Sequence, residues 1–205
     1  PTESESSINN SILELNSINN KIGAFFNDSL NAAPELFQLL SSKKIINLAE
    51  VILGSDSSSI LCNNYRIRIQ IPGHDDVSNL PWHQDSHYNN FYKLNNSIAI
   101  WASITDISDE AGPIIFKKGS HVLKELQRTE FKKSNNHIAY TVPKKYIEDP
   151  KFPEYSVSTK SGDVVLIDMN VVHKSGENKS NDKVKLSIQC RCHDAGKSDF
   201  LAQYN

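Results

Sequence analysis

Two histidines and one aspartate set the strongest constraint on the fold of this 205-residue chain. One residue separates His83 from Asp85, and His173 follows Asp85 by 88 residues. This spacing is typical of a 2-His-1-carboxylate triad, in which three ligands on one face of an iron ion leave the opposite face open. Residues i and i+2 of a strand point to the same side, so His83 and Asp85 can share one metal. A third ligand from a distant strand requires the sheet to curl back on itself, which predicts a barrel or a jelly roll.

The segments around His173 support this prediction. Residues 161–168 form a Ser-Gly turn followed by an apolar run, which predicts a buried strand leading to the histidine. Residues 175–178, Ser-Gly-Glu-Asn, predict a turn, and residues 184–192 predict a second strand. A ligand histidine between two strands is expected at the rim of a barrel.

An alternating segment at residues 65–71 predicts a strand whose isoleucines face the core. Arg66, Arg68 and Gln70 occupy its other face. That face is a solvated row if the sheet is open, and it lines the lumen if the sheet closes into a barrel. Residues 97–105 and 113–116 are predicted as further strands.

Two helices are predicted before the strands, over residues 7–30 and over residues 34–53, the second bounded by Pro34 and Gly54. We expect both to cover a sheet. The whole chain, residues 1–205, is predicted to be one domain, with a helical part at about 7–54 and a core of strands at about 59–193.

Composition argues against several classes of protein. A net charge of −2 gives no electrostatic reason to expect nucleic acid or an anionic membrane as partner, and no apolar run approaches the ~20 residues that span a bilayer. Three cysteines are too few for a disulfide scaffold, so we expect Cys190 and Cys192 to pack as small apolar residues in a reducing, cytoplasmic setting. Residues 1–7 lack the features of a signal peptide, and the start at Pro1 predicts a trimmed or processed N-terminus.

Four blocks resemble the phytanoyl-CoA dioxygenase family of iron(II)- and 2-oxoglutarate-dependent oxygenases. They are its iron-binding signature at residues 80–88, its central strand and turn at 100–113, its Gly-Ser-His block at 118–121 and its closing block at 162–178. The blocks keep the family's order within residues 65–191. The resemblance implies an all-β core with helices, in the form of a cupin-like double-stranded β-helix, or jelly roll, with the N-terminal helices packed on one sheet.

The resemblance also implies a chemistry. Iron(II) would be held by His83, Asp85 and His173, and 2-oxoglutarate and O2 would be the co-substrates. Halogenases of similar fold lack the carboxylate ligand, so the presence of Asp85 implies hydroxylation, or a related oxidation of a C–H bond, of a small-molecule substrate. Succinate and carbon dioxide would be released.

The far carboxylate of 2-oxoglutarate needs a cation, and here the chain departs from the family. Family members place an arginine shortly before a serine on the strand after the distal histidine, whereas this chain has Lys185 before Ser187. We expect Lys185 to supply the charge as a point donor. Arg191, on the same strand face, is the second choice and Arg66 the third. Lys185 and Arg191 are alternatively plain surface residues.

Further contacts are implied by the resemblance. Ser175 matches a position that contacts the co-substrate, and Trp101 matches an aromatic residue of the same pocket, although Trp101 is equally consistent with plain core. Gln70 or Arg66 would cap the co-substrate from the first strand.

Residues beside the triad have expected roles of their own. Trp82 and Gln84 are expected to orient the ligands. His87 and Tyr88 are candidates for contact with the substrate. Of the remaining histidines, His121 is expected to have a structural role in a turn. The other three are expected to be solvated: His74, His137 and His193.

Two other classes of function remain open at this stage. A metal enzyme on a cupin-like barrel that does not use 2-oxoglutarate would need several clustered histidines, and only His87 is close enough to join the triad. A non-catalytic binding protein on the same barrel is favoured only by Lys185 in place of arginine. In the resembled family, variable loops contact the substrate, which implies this role for loops at residues 73–79, 89–96 and 117–153.

Overall fold

The structure is a computed structural model that describes residues 3–19, 21–73, 79–88, 92–93, 96–132, 138–196 and 201–202. The helices are α1 (Glu3–Ile18), α2 (Ile22–Asn31), α3 (Pro34–Leu40), α4 (Lys43–Leu53) and α5 (Lys144–Ile147). The strands are β1 (Ile60–Gln70), β2 (Tyr92–Lys93), β3 (Ser97–Ser103), β4 (Ile114–Lys117), β5 (Thr129–Lys132), β6 (Ile138–Thr141), β7 (Glu154–Val157), β8 (Val164–Asp168), β9 (His173–Ser175), β10 (Lys185–Asp194) and β11 (Leu201–Ala202). His74, His137 and much of the predicted loops at 73–79 and 89–96 lie outside the described residues.

Two antiparallel sheets form the frame of the molecule. The larger has the strand order β1-β10-β3-β8, and the smaller has the order β7-β4-β9. Two further pairs, β5-β6 and β2-β11, stand apart from these sheets. Every strand pairing in the described part of the chain is antiparallel. The chain is therefore a mixed fold of helices and antiparallel sheets, which confirms the coarser part of the predicted all-β core with helices.

Strand β1 has the predicted core face, since Ile67 and Ile69 are both buried. Its pairing with β10 shifts between Asn63 and Arg66, and Asn64 in this irregularity takes a positive φ of 53°. Beyond this irregularity the pairing is regular from Arg66 to Gln70, so the predicted alternation holds there. The side chain of Arg66 is nevertheless exposed.

Each of the two predicted N-terminal helices is divided in two, which corrects the prediction. Between α1 and α2, the amide of Lys21 donates a hydrogen bond to the side chain of Asn19, and this local bond competes with helix formation. Between α3 and α4, Ser42 takes an extended conformation. The end of α4 is as predicted, with Gly54 in the left-handed region at φ 60°. Among the described residues, no helix is long and apolar enough to cross a lipid bilayer.

Helices α3 and α4 cover one face of the larger sheet, as predicted. Their buried side chains share a core with residues of β1, β3 and β10. The members of this core are Leu36, Leu40, Ala49, Ile60, Ile67, Ile98, Ile100, Ile188, Cys190 and Cys192. Cys190 and Cys192 are fully buried there, as expected for cysteines that pack as small apolar groups.

Two neighbouring leucines of α3 test how much this packing stabilises the fold. Leu40 is 1% exposed, whereas Leu39 is 53% exposed. Leu40→Ala should lower the free energy of unfolding by about 3 kcal/mol, because it removes buried contacts and leaves a cavity. Leu39→Ala, the matched control, should change it by about 0.5 kcal/mol or less. Chemical denaturation of the two variants makes the comparison, and equal losses would show that α3 does not pack on the sheet as described.

His193 is buried, which corrects the prediction that it is solvated. Its side chain bridges neighbouring strands, with Nδ1 2.9 Å from the Ser97 hydroxyl and Nε2 3.1 Å from Oδ1 of Asn63. Burial, followed by the charge of Arg191, lowers the pKa of His193 to about 4. The imidazole is therefore neutral at neutral pH in the folded protein.

The depressed pKa of His193 predicts a loss of stability in acid. The unfolded chain binds the proton near pH 6.5, while the folded chain resists it until about pH 4. The contribution of His193 to the free energy of unfolding is therefore fully present above pH 6.5. It falls by about 3 kcal/mol as the pH drops to 4. Other histidines titrate in this window, so the measurement is the difference in unfolding free energy between the parent and His193→Gln. That difference should shrink by about 3 kcal/mol from pH 7 to pH 4, and a constant difference would contradict the prediction.

Candidate metal centre

His83 and His173 lie side by side despite their separation in the chain. The amide of each donates a 2.9 Å hydrogen bond to the carbonyl of the other, and their ring centroids are 4.2 Å apart. His173 begins β9 of the smaller sheet, and this backbone bridge attaches the segment around His83 to it. The two histidines are thus brought together by main-chain pairing, which does not depend on a metal.

Hydrogen bonds to the backbone select the tautomer of both imidazoles. Nδ1 of His83 lies 2.7 Å from the carbonyl oxygen of Pro81, and Nδ1 of His173 lies 3.0 Å from that of Val171. A carbonyl oxygen can only accept, so Nδ1 carries the proton in each ring and the lone pair of Nε2 is left for a metal. Burial first, and then the charge of His173, lowers the pKa of His83 well below its ordinary value, so this ring stays in the neutral form that binds metals.

Asp85 completes the cluster from the start of a short 3-10 helix, Asp85–Tyr88. Its Oδ2 is 4.0 Å from Nε2 of His173, and its Oδ1 accepts a hydrogen bond from Nη2 of Arg191. Burial raises the pKa of Asp85, but Arg191 and then the two histidines outweigh it and hold the pKa well below its usual range. The carboxylate is therefore ionised. One ligand atom from each of His83, Asp85 and His173 lies within 4.8 Å of the others.

Gln84, between the first two ligands, fixes the local backbone. It is fully buried, and its amide nitrogen donates to the carbonyls of Lys124 and Asn170 at 2.7 and 2.5 Å. Its oxygen accepts from the amide of Leu126 at 2.7 Å. These bonds hold a turn in place of the strand that was predicted for the His-x-Asp segment. The orienting role expected for Gln84 has a direct structural basis in these contacts.

The three clustered residues form part of the wall of a cavity between the two sheets. Strands of the larger sheet supply about half of the wall, and the smaller sheet and the segment around His83 supply the rest. The lining residues are Arg68, Gln70, Leu80, His83, Asp85, Ala99, Trp101, Ile114, Ile167, His173, Lys174, Ser175, Lys185, Ser187 and Gln189. Four predicted co-substrate residues, Gln70, Trp101, Ser175 and Lys185, are therefore brought together with the triad.

Lys185 is buried in this wall, which excludes the alternative of a surface lysine. It pairs across the sheet with Gln70, and its ammonium donates a 2.5 Å hydrogen bond to the carbonyl of Gly112. Gly112 takes a φ of +79°, and a Cβ there would lie 2.7 Å from Oε1 of Gln70. Only glycine therefore allows the backbone to approach the Gln70 side chain this closely.

The other two proposed cations lie elsewhere. Arg191 is buried and engaged with Asp85, and it is not among the residues that line the cavity. Arg66 is exposed and donates a 3.4 Å hydrogen bond to Asn64. Arg66 thus lies outside the described cavity lining, whereas both roles expected of it would place it there. Arg68, two residues further along the strand, occupies the cavity wall instead.

The residues expected to touch substrate have structural contacts away from the cavity lining. Nε2 of His87 lies 2.9 Å from the carbonyl of Leu126, and His87 is 1% exposed. The hydroxyl of Tyr88 accepts a 2.9 Å hydrogen bond from the amide of Tyr140, and its ring packs edge-on against His83. Tyr88 thus packs against His83, one of the candidate metal ligands.

Arg68 and Lys174 line the cavity but were not predicted as site residues from the sequence. Arg68 was on the correct strand face but was not singled out, and its two-residue spacing from Gln70 was the available signal. Lys174 directly follows His173, and its ammonium lies 4.6 Å from the centre of the Trp82 ring. Trp82 also has Lys117 at 5.2 Å, so two lysines flank one aromatic ring near the cavity.

Comparison with known proteins identifies the family. Residues 9–185 match the sequence profile of the phytanoyl-CoA dioxygenase family. The chain belongs to this family. The family member phytanoyl-CoA dioxygenase, peroxisomal, from Mus musculus is 27% identical over 126 residues, which are 58% of this chain and 36% of the mouse protein. The matched part of the chain thus spans well under two thirds of that relative.

Several solved structures have a similar fold. EvdO2 from Micromonospora carbonacea var. aurantiaca, complexed with 2-oxoglutarate, has a TM-score of 0.66 and 16% identity, covering 83% of this chain and 66% of that chain. The epimerase SnoN, in complex with Fe3+, alpha ketoglutarate and nogalamycin RO, has a TM-score of 0.62 and 21% identity, covering 82% and 62%. The alpha-ketoglutarate-dependent carbocyclase SnoK has a TM-score of 0.62 and 22% identity, covering 79% and 59%.

Proposed function

We propose that this protein is an iron(II)- and 2-oxoglutarate-dependent oxygenase that hydroxylates a small-molecule substrate. The observation that carries the proposal is the buried cluster of His83, Asp85 and His173 in a cavity wall. Membership of the phytanoyl-CoA dioxygenase family supports the same class of chemistry. The likeness to EvdO2 and SnoN, each solved with the keto acid, supports it further.

The residues fit iron(II). Two imidazoles and one carboxylate are the donor set of non-haem iron oxygenases, and three protein ligands leave positions for a co-substrate and O2. Both rings carry the proton on Nδ1, so Nε2 is available, and Asp85 is ionised. Carbonyl groups behind each ring act as the outer partners that fix its orientation. The chain thus presents the ligand protonation states that metal binding requires.

The chain's own residues would bind and orient the reactants. Iron with 2-oxoglutarate and O2 supplies the oxidising power when bound, and succinate and carbon dioxide are the products. Lys185 would hold the far carboxylate of the co-substrate, with Ser175 and Gln70 beside it. Trp101 and Ile167 contribute apolar wall and help to keep water out. Trp101 belongs both to the hydrophobic core and to the cavity wall. A role in packing is therefore compatible with a role in the co-substrate pocket.

Asp85 directs the choice of reaction. A halogenase of this fold would lack the carboxylate ligand, so we propose oxidation of a C–H bond with hydroxylation as its outcome. We further propose that the two sheets are the halves of a jelly roll in a single domain over residues 1–205. The shared cavity wall and the backbone bridge between His83 and His173 support this architecture.

Product formation tests the proposed function. Protein loaded with iron(II) and given 2-oxoglutarate in air should form succinate and carbon dioxide in equal amounts, slowly even without a substrate. The same protein loaded with manganese(II) under the same conditions is the control and should form neither. Iron-loaded protein that binds 2-oxoglutarate but forms no succinate with any substrate would favour a non-catalytic binding protein and contradict the proposal.

A further inference from the structure

Arg68 occupies a defined place in the cavity wall, beside the proposed co-substrate subsite. It lies on β1 opposite Ser187, and Gln70, two residues along the strand, lies opposite Lys185. Two residues of a strand span about 7 Å. Arg68 is therefore the diagonal neighbour of Lys185 on the same face of the sheet, about one two-residue step along the strand from Gln70. The cavity wall that contains Arg68 also contains Asp85.

The guanidinium of Arg68 has no partner in the described part of the chain. No hydrogen bond or ion pair holds it there, whereas Lys185 donates to Gly112 and Arg191 is paired with Asp85. Burial lowers the pKa of Arg68, and the positive charges of Arg66 and Arg191 lower it further. The negative charge of Asp85 acts in the opposite direction and raises it. An arginine remains charged under these conditions and carries five N–H donors. Arg68 is half-buried in the cavity wall. A charged group with reduced access to water favours an oppositely charged partner, so its unpaired guanidinium points to a ligand.

The charge of the cavity favours an anionic ligand. Its wall carries the cations Arg68, Lys174 and Lys185. Asp85, the one acidic residue among the described lining, is already paired with Arg191. Iron(II) and the dianion of 2-oxoglutarate together add no net charge. The loaded cavity would therefore keep an excess of positive charge, and Lys185 alone is needed for the far carboxylate of the co-substrate.

We propose that Arg68 binds an anionic group, a carboxylate or a phosphate, of the molecule that the enzyme oxidises. This inference rests on the proposed function and adds the class of substrate. The planar guanidinium can donate two parallel hydrogen bonds to either group, which fixes orientation as well as position. The substrate would thus lie beside the co-substrate, with its anionic end at Arg68.

Matched pairs of charged and neutral compounds test the inference without turnover. Protein loaded with manganese(II) and N-oxalylglycine, a non-reacting analogue of 2-oxoglutarate, is titrated calorimetrically with benzoate, benzamide, hexanoate, hexanamide, phenyl phosphate and phenol. At least one anion should bind at least tenfold more tightly than its neutral partner. The carboxylate and phosphate pairs show which group the site prefers.

Three variants assign the effect to Arg68. Arg68→Gln should abolish the preference for the anion while keeping the affinity for 2-oxoglutarate within about twofold of the parent. Arg68→Lys keeps the charge and should retain part of the preference. Arg66→Gln, on the exposed neighbour two residues away, is the matched control and should behave like the parent. Melting temperatures of all variants verify folding.

Several results would overturn the inference. A parent with no anion preference in any pair, or a preference that survives Arg68→Gln, would show that Arg68 does not bind the substrate. A tenfold loss of 2-oxoglutarate affinity in Arg68→Gln would assign the residue to the co-substrate instead. A parent that binds neither manganese(II) nor 2-oxoglutarate would refute the proposed function itself, and the inference with it.

Discussion

Replacing His173 with alanine is expected to lower the affinity for iron(II) by more than about a hundredfold. Loss of a group that only supports a metal ligand typically costs ten- to a hundredfold, and loss of the ligand itself should cost more. His83→Ala should have a similar effect, since both rings present Nε2 to the same cluster. The measurement is the iron content of protein reconstituted and dialysed without oxygen.

Controls distinguish loss of a ligand from loss of folding. The backbone bridge between residues 83 and 173 does not use their side chains, so the metal-free variants should keep a cooperative thermal unfolding transition. His121→Ala replaces an exposed histidine and should bind iron like the parent. If His83→Ala and His173→Ala both retain iron at the parent's level, the assignment of the metal ligands is wrong.

Lys185→Ala should weaken the binding of 2-oxoglutarate by about a hundredfold. The far carboxylate of the co-substrate would be left desolvated without its cation, a loss on the order of 3 kcal/mol. Lys185→Arg should keep or tighten binding, because a guanidinium offers two parallel hydrogen bonds where an ammonium offers a single point of charge. Calorimetric titration of the iron-loaded variants without oxygen measures both affinities.

Arg191 provides the contrast to Lys185. Since Arg191 is paired with Asp85, Arg191→Gln should weaken iron binding. It should lower the affinity for 2-oxoglutarate less than Lys185→Ala does. This differs from the role that strand periodicity alone predicts for it, as a second cation for the co-substrate. If Arg191→Gln abolishes co-substrate binding while Lys185→Ala leaves it intact, the two roles are reversed.

The candidate site was predictable where the signal is local in sequence. The His-x-Asp spacing and the distal histidine name the three clustered residues without coordinates. Alternation in β1 predicts its buried isoleucines, because a two-residue period follows from strand geometry. Proline and glycine mark the start of α3 and the end of α4, since each residue has its own backbone preference.

The remainder depends on contacts between distant segments. The turn at Asp85 is held by Gln84 through carbonyls at Lys124 and Asn170, and one sequence does not show that these segments meet. Alternation gives the strand face of Arg66, but it does not show that this side chain lies exposed and outside the described cavity lining. Burial of His193 likewise requires polar partners from two other strands.

The most direct test of the account is a titration of 2-oxoglutarate into the protein in the absence of oxygen. With iron(II) present, a visible charge-transfer absorption should appear and saturate at one equivalent, because the keto acid would bind through its keto oxygen and adjacent carboxylate to iron held by His83, Asp85 and His173. Asp85→Ala and metal-free protein should give no such absorption. Binding of 2-oxoglutarate to the parent without any change in the iron spectrum, or no binding at all, would contradict the claim that iron and co-substrate meet in this cavity.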